Sequence, residues 1–127
     1  MKIYFAQQRN PSKKDVALYD SIDDLISRWG TKTIDLNDAD FIIGDTTKLD
    51  AKRAYDLGKA AGNNKRNVCF YRELKSNNSA NVLDEELNLV KYQNKQETLD
   101  QINSEISNYV RALMKSVHRG IIDYLTK

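Results

Sequence analysis

Residues 39–60, ADFIIGDTTKLDAKRAYDLGKA, open as a strand and close as a helix. The run Phe41-Ile42-Ile43-Gly44 is apolar and β-branched without interruption, the pattern of a strand covered on both faces. From Asp50 the pattern becomes helical and closes at Gly62. Three carboxylates, Asp45, Asp50 and Asp56, occupy the crossing. Ligands of open α/β sheets bind beyond the carboxyl ends of the strands, next to helix N-termini. The stretch therefore predicts both a layered α/β fold and the edge at which its site lies.

Working outward, Lys2–Ala6 (KIYFA) reads as an opening strand. A loop, QQRNPS, follows and holds the chain's one proline. Ser12 is placed to cap a helix whose stripe is Val16, Leu18, Tyr19, Ile22, Leu25, Ile26 and Trp29, and Gly30 ends it. NVCFYR and LNLVKY read as further strands around a polar loop. From Gln96 onward runs one amphipathic pattern through Leu99, Ile106, Val110, Leu113, Val117 and Ile121. The expected fold is α/β, a small flavodoxin/Rossmann-like three-layer arrangement with four to five mostly parallel strands and a long C-terminal helix. TKTID and DFIIG stand too close to be sequential parallel neighbours. Either TKTID is a frayed edge piece, or the first helix leads directly into DFIIG. The second option is preferred and gives about four strands. Residues 1–127 are expected to form one domain, with 96–127 as a helical extension.

Charge excludes several functions. Twenty Lys and Arg face 18 Asp and Glu, a net charge of +2, with no clustered basic face, so no nucleic-acid partner is expected. No run nears the ~18 apolar residues of a membrane span, and the chain enters a strand at once without a signal segment. A cytoplasmic protein with no membrane partner is expected. Cys69, the one cysteine, sits in an apolar run and reads as a buried small hydrophobe. His118, the one histidine, has no ligand partner at metal spacing, so neither metal nor cofactor is expected. There is no G-x-x-x-x-G-K-[ST], G-x-G-x-x-G or G-x-S-x-G.

Three stretches carry a family resemblance. KIYFA followed by DVALY resembles the opening strand and first helix of the nucleoside 2-deoxyribosyltransferase superfamily. ADFIIGDTTKLDAKRAYDLGKA resembles its alanine-aspartate strand and glycine-tyrosine-glutamate-leucine-glycine helix. CFYREL…NNSAN is similar to the strand and serine-alanine loop that follow. The likeness runs over residues 2 to 92 and is nearest to the 2'-deoxynucleoside 5'-phosphate N-hydrolase branch. It implies a helix-borne carboxylate that attacks the anomeric carbon and expels the base. By position that nucleophile is Asp56, one methylene shorter than the family's glutamate. The resemblance further implies ligand contacts from Tyr4 on the first strand, Asp50 at the phosphate-contacting position, and Ser79 offered across a dimer interface.

The same edge holds Gln7 after the first strand and Asp45 after the second. Asp35 or Asp38 are the residues available to stand in for the family's assisting aspartate. Read without the resemblance, Asp45 and Asp50 are helix caps and Asp56 is a surface carboxylate. Two functions stay open: an N-glycosidase or deoxyribosyltransferase acting on a nucleoside or nucleotide, and a catalytically lapsed relative that binds such a ligand or serves in interactions. The three acids with few cations nearby imply that uncharged nucleosides bind at least as well as monophosphates. The length of the 96–125 stripe implies a homodimer or larger assembly.

Overall fold

The structure is a computed structural model that describes residues 1–47, 51–71, 87–92 and 94–126. Five strands form one parallel sheet: β1 (Lys2–Ala6), β2 (Thr31–Thr33), β3 (Phe41–Asp45), β4 (Arg66–Tyr71) and β5 (Leu89–Lys91). Their order is β2-β1-β3-β4-β5, the flavodoxin-like winding. The connecting helices are α1 (Lys13–Trp29) and α2 (Ala51–Gly62), and the chain closes with α3 (Lys95–Thr126).

Side-chain alternation along the strands divides the core in two. Ile3 and Phe5 of β1, Phe41 and Ile43 of β3, and Val68 and Phe70 of β4 face α1 and the first half of α3. Ile42 of β3 and Cys69 of β4 face Leu57 and Ala60 of α2. Each large apolar side chain fully buried in this way contributes about 1.5–3 kcal/mol. Gly44 sits on the α2 face, where an added Cβ would lie 3.0 Å from both Leu57 Cδ2 and Cys69 Sγ. Its missing side chain lets α2 approach the sheet closely.

The start of α1 follows its sequence signals. Ser12 caps it, accepting from the Asp15 N–H at 3.2 Å, while its own hydroxyl donates to the Asp15 carboxylate at 3.0 Å. At the other end, the Gly30 N–H closes on the Ile26 carbonyl. A Cβ at Gly30 would run into the Met1 carbonyl oxygen, which itself accepts the Thr31 N–H at 2.9 Å. Glycine stands there because the backbone of the first strand passes directly against it. The Gly62 stop is different: α2 includes Gly62, and the left-handed residue after the helix is Asn64, with φ 56°.

The preferred path from the first helix straight into DFIIG is corrected. The first helix leads into β2, a three-residue edge strand, and β1 lies between β2 and β3. The dozen-residue crossover rule does not bind here because β2 is so short. Thr33 pairs at the level of Tyr4, and Phe41 at the level of Ile3. Residues 34–40 therefore step across β1 with almost no return along it. A 3₁₀ turn at Leu36–Asp38 makes the step, capped by the Asp35 side chain, and Asp38 and Asp40 both bond Lys2 at the start of β1.

Gly30→Ala is expected to lower unfolding free energy by roughly 1–3 kcal/mol, the usual cost of overpacking against a backbone that cannot yield. Urea denaturation monitored by Trp29 fluorescence checks this. A stability equal to that of the parent protein would show that the Met1–Thr31 corner moves freely.

Candidate functional site

In this winding the chain leaves β1 toward β2 on one side and continues from β3 on the other, so the crevice lies between the carboxyl ends of β1 and β3. The residues there separate onto the two sheet faces. On the α2 face, a cleft of about 230 Å³ is lined by Tyr4, Gln7, Arg9, Lys52, Arg53 and Asp56, with Ala6 at its floor. On the α1 face, the carboxylate of Asp45 is buried in a polar network.

Asp56 lies on α2, one helical turn beyond Lys52, so the two side chains share a face of the first turns. The Tyr4 hydroxyl is directed at Asp56 Oδ2 from 3.4 Å, longer than the ~2.7–2.8 Å usual for an O–H···O bond. Burial first, and the negative charge of Asp56 second, raise the Tyr4 pKa above its ordinary value. The phenol thus stays a protonated donor at neutral pH. Arg53 is buried, its Nη1 donating to the Asp45 carbonyl at 2.6 Å and its Nη2 to the Thr47 carbonyl at 3.2 Å. It carries its charge into the cleft wall while fixing the turn that precedes α2.

Asp45 is 1% exposed. Its Oδ2 accepts from the Tyr19 hydroxyl at 2.6 Å and from Gln8 Nε2 at 2.8 Å, and its Oδ1 from the Thr47 N–H at 2.9 Å. Tyr19 in turn accepts the Gln8 N–H at 3.1 Å, and Gln8 Nε2 also reaches Asp15 at 3.3 Å. Burial chiefly, then the charge of Asp45, pushes the Tyr19 hydroxyl far above the ordinary tyrosine value. The same two causes push the Cys69 thiol up to about 12, so it is no thiolate nucleophile at neutral pH.

Of the sequence-predicted residues, Tyr4, Gln7 and Asp56 line one cleft. Asp45 does not join them. It is the last residue of β3 and in phase with Phe41 and Ile43, so it faces α1, and its carboxylate closes the turn at the Thr47 N–H rather than capping α2, which begins at Ala51. Asp50 and Ser79 lie outside the described residues. Asp35 and Asp38 sit beside the start of β1, at the opposite edge of the sheet, and cannot assist Asp56. The described lining residues include three cations, Arg9, Lys52 and Arg53, beside the carboxylate Asp56. Lys52 and Arg53 were legible in principle, because they fall one turn and nearly one turn before Asp56 on the same helix.

Among the described residues no group of three or more His, Cys, Asp or Glu could hold a metal ion. No helix among them is long and apolar enough to cross a membrane.

No family model matches the chain, and no curated protein is similar to it in sequence. Among solved structures it is similar to the CMP N-glycosidase BcmB of Clostridium botulinum, with a TM-score of 0.61 over 81% of this chain and 99% of that one. At 13% identity the likeness is one of fold. The likeness extends over most of the α/β fold and not over the whole of this chain.

Tyr19→Phe removes the donor to a buried carboxylate and the acceptor of the Gln8 N–H together, and is expected to cost about 2 kcal/mol. It should also alter the alkaline limb of stability. A raised folded-state pKa means the unfolded chain releases its proton first, so the contribution is complete below about pH 10 and is lost as pH rises beyond it. Denaturant titrations from neutral pH to above pH 10 should show a shallower decline for Tyr19→Phe than for the parent. Identical slopes would remove Tyr19 from the account.

Proposed function

We propose that the chain is an N-glycosidase-type protein of the nucleoside 2-deoxyribosyltransferase superfamily, acting on a nucleoside monophosphate, with Asp56 as nucleophile. The observation that carries the reading is Asp56 in a cleft at the carboxyl edge of β1, facing Tyr4 and flanked by Arg9 and Lys52. The chemistry follows from that placement. A carboxylate oxygen of Asp56 bonds to the anomeric carbon as the C–N bond breaks, and the base leaves with the bonding pair. Water then attacks the same carbon, releasing Asp56. Its hydroxyl stays on the sugar and its proton balances the departed base. Tyr4 holds the Asp56 carboxylate toward the sugar by its protonated hydroxyl.

The ligand charge is read from the walls. Among the described lining residues Arg9 and Lys52, with the buried Arg53 behind them, outnumber Asp56, a balance that a phosphate satisfies and a neutral nucleoside does not. This reverses the preference inferred from the acids of the sequence alone. The fold shared with a CMP N-glycosidase supports the same direction.

A second reading is a catalytically lapsed binder, favoured by the lack of a second carboxylate among the described lining residues. One experiment separates the two. Nucleoside monophosphates and their nucleosides, ribo and 2'-deoxy, are incubated with the parent protein, and free base is measured by chromatography. Base release is expected from a monophosphate, with Asp56→Asn reducing it by at least ~10²-fold. Asp56→Glu lengthens the side chain by one methylene, ~1.5 Å, restoring the family's glutamate, and is expected to raise the rate. Release that survives Asp56→Asn would place the chemistry elsewhere. Tight monophosphate binding with no release by any variant would establish the binder instead.

Charge is tested by calorimetry. Monophosphates are expected to bind at least about tenfold more tightly than their nucleosides, a difference of ~1.4 kcal/mol. Lys52→Gln and Arg9→Gln should each erode that ratio without weakening nucleoside binding. Equal affinity for both ligand classes in the parent protein would overturn the phosphate assignment.

A further inference from the structure

The cleft and the buried Asp45 network lie on opposite faces of the sheet, and the loop after β1 runs between them. Along β1, Tyr4 and Ala6 belong to the α2 side and Phe5 to the α1 side. Continued for two residues, that alternation would turn Gln7 toward α1 and Gln8 into the cleft. The structure has the reverse. Gln7 and Arg9 line the cleft, while Gln8 makes its bonds on the α1 side.

Three bonds hold the reversal in place. The Gln8 N–H donates to the Tyr19 hydroxyl at 3.1 Å, and Nε2 donates to Asp45 Oδ2 at 2.8 Å and to Asp15 Oδ2 at 3.3 Å. Both side-chain partners are carboxylates, which only accept, so the amide nitrogen is the atom that faces them. The bond to Asp45 is charge-assisted and its acceptor is withdrawn from water, the conditions under which a hydrogen bond is strongest. Asp15 Oδ2 also accepts from Ser12 Oγ at 3.0 Å, so both ends of the loop are tied to one oxygen. Arg9, Asn10 and Pro11 lie between the ties, and Arg9 and Asn10 are exposed.

We infer that Gln8 is a positioning residue for the cleft: it couples the buried carboxylate of Asp45 to the placement of Gln7 and Arg9, and thereby sets how well the site holds a phosphate-bearing ligand. The ligand half of this inference rests on the phosphate reading given above; the tether itself does not. A displacement of about 1 Å is enough to change what a positioned side chain contributes. Gln8 can be replaced without baring the acid behind it, because Asp45 keeps the Tyr19 and Thr47 bonds.

The variant is Gln8→Met, which keeps the length of the side chain and removes its donor. Hydrogen–deuterium exchange of the free protein, read by mass spectrometry, is expected to speed up about tenfold or more across residues 7–10 and to stay at the parent rate in α2 and β4. Tyr19→Phe removes the other tie and should act in the same direction. Calorimetry with AMP, CMP, GMP and UMP and with their nucleosides reads the ligand half. Gln8→Met is expected to lower the monophosphate-to-nucleoside affinity ratio by about threefold or more, and to lower it no further once Arg9 is replaced by Gln, because residues that act through one another are not additive. Gly30→Ala is the control for lost stability alone: Gly30 packs against Met1 at the start of β1, and its substitution should leave the ratio unchanged. A ratio that stays at the parent value in Gln8→Met overturns the coupling. So does a loss that multiplies with Arg9→Gln, or an equal loss in Gly30→Ala. Unchanged exchange at residues 7–10 in both Gln8→Met and Tyr19→Phe overturns the tether, whatever the ligand. A parent protein without monophosphate preference, whose variants exchange faster across residues 7–10, supports the tether and removes the phosphate reading instead.

Discussion

The buried carboxylate of Asp45 is the constraint around which the carboxyl edge of the sheet is arranged. A carboxylate withdrawn from water is tolerable only where hydrogen bonds replace its hydration. Each bond that does so here comes from a different element: Tyr19 from α1, Gln8 from the chain just after β1, and Thr47 from the turn after β3. Arg53, reaching back from α2, bonds the carbonyls on either side of that turn. One acid thereby fixes the relative positions of two strands and two helices at the switch point. The corner after β1 that carries Gln7 and Arg9 into the cleft is held from behind by the bonds at Gln8.

That arrangement explains why Asp45 and Asp56, close in sequence, do not share a site. Along a strand the side chains alternate, so a residue's face is decided by its phase with the apolar residues before it. Asp45 is in phase with Phe41 and Ile43 and belongs to the α1 side. Tyr4 is in phase with Ala6 and belongs to the α2 side, where Asp56 meets it. Counting carboxylates along the chain overstated the negative charge of the site, because one of them faces the other way. The cations were understated for the opposite reason. Arg9 comes from a loop, and Lys52 and Arg53 from the first turns of a helix, and they converge only once β1 and α2 are packed.

What could be read in advance follows the same division. Local signals were sufficient for α1, where Ser12 caps, Gly30 ends and the stripe between them is buried as its spacing requires. They were sufficient for β3 and β4, whose unbroken apolar runs belong to central strands. They failed at β2, because three residues with no apolar alternation carry no strand signature; its pairing with β1 begins at the Thr31 N–H bond to the Met1 carbonyl. The site was legible to the extent that a strand end and a helix face follow from pattern. Gln7 was placed at that edge by pattern, Tyr4 and Asp56 by the family resemblance, and the three line one cleft. The Tyr19–Asp45 bond was not, since it joins residues whose only warning in the sequence is an acid at the end of an otherwise apolar strand.

The division within α3 shows the limit of a stripe as a guide to burial. The apolar pattern from Leu99 to Leu125 is nearly uniform, yet its first half faces a core and its second faces water. Periodicity fixes which side of a helix seeks cover but not what supplies it. The sheet supplies it only as far as its own extent. Beyond Val110 the core has run out, so the helix keeps its regular backbone bonds while losing the tertiary packing from which most helical stability comes. An amphipathic half-helix in that position is unlike a frayed end, where apolar residues bring no gain and are replaced by polar ones. Leu113, Met114, Val117, Ile121 and Leu125 stay exposed there because no described part of the fold reaches them.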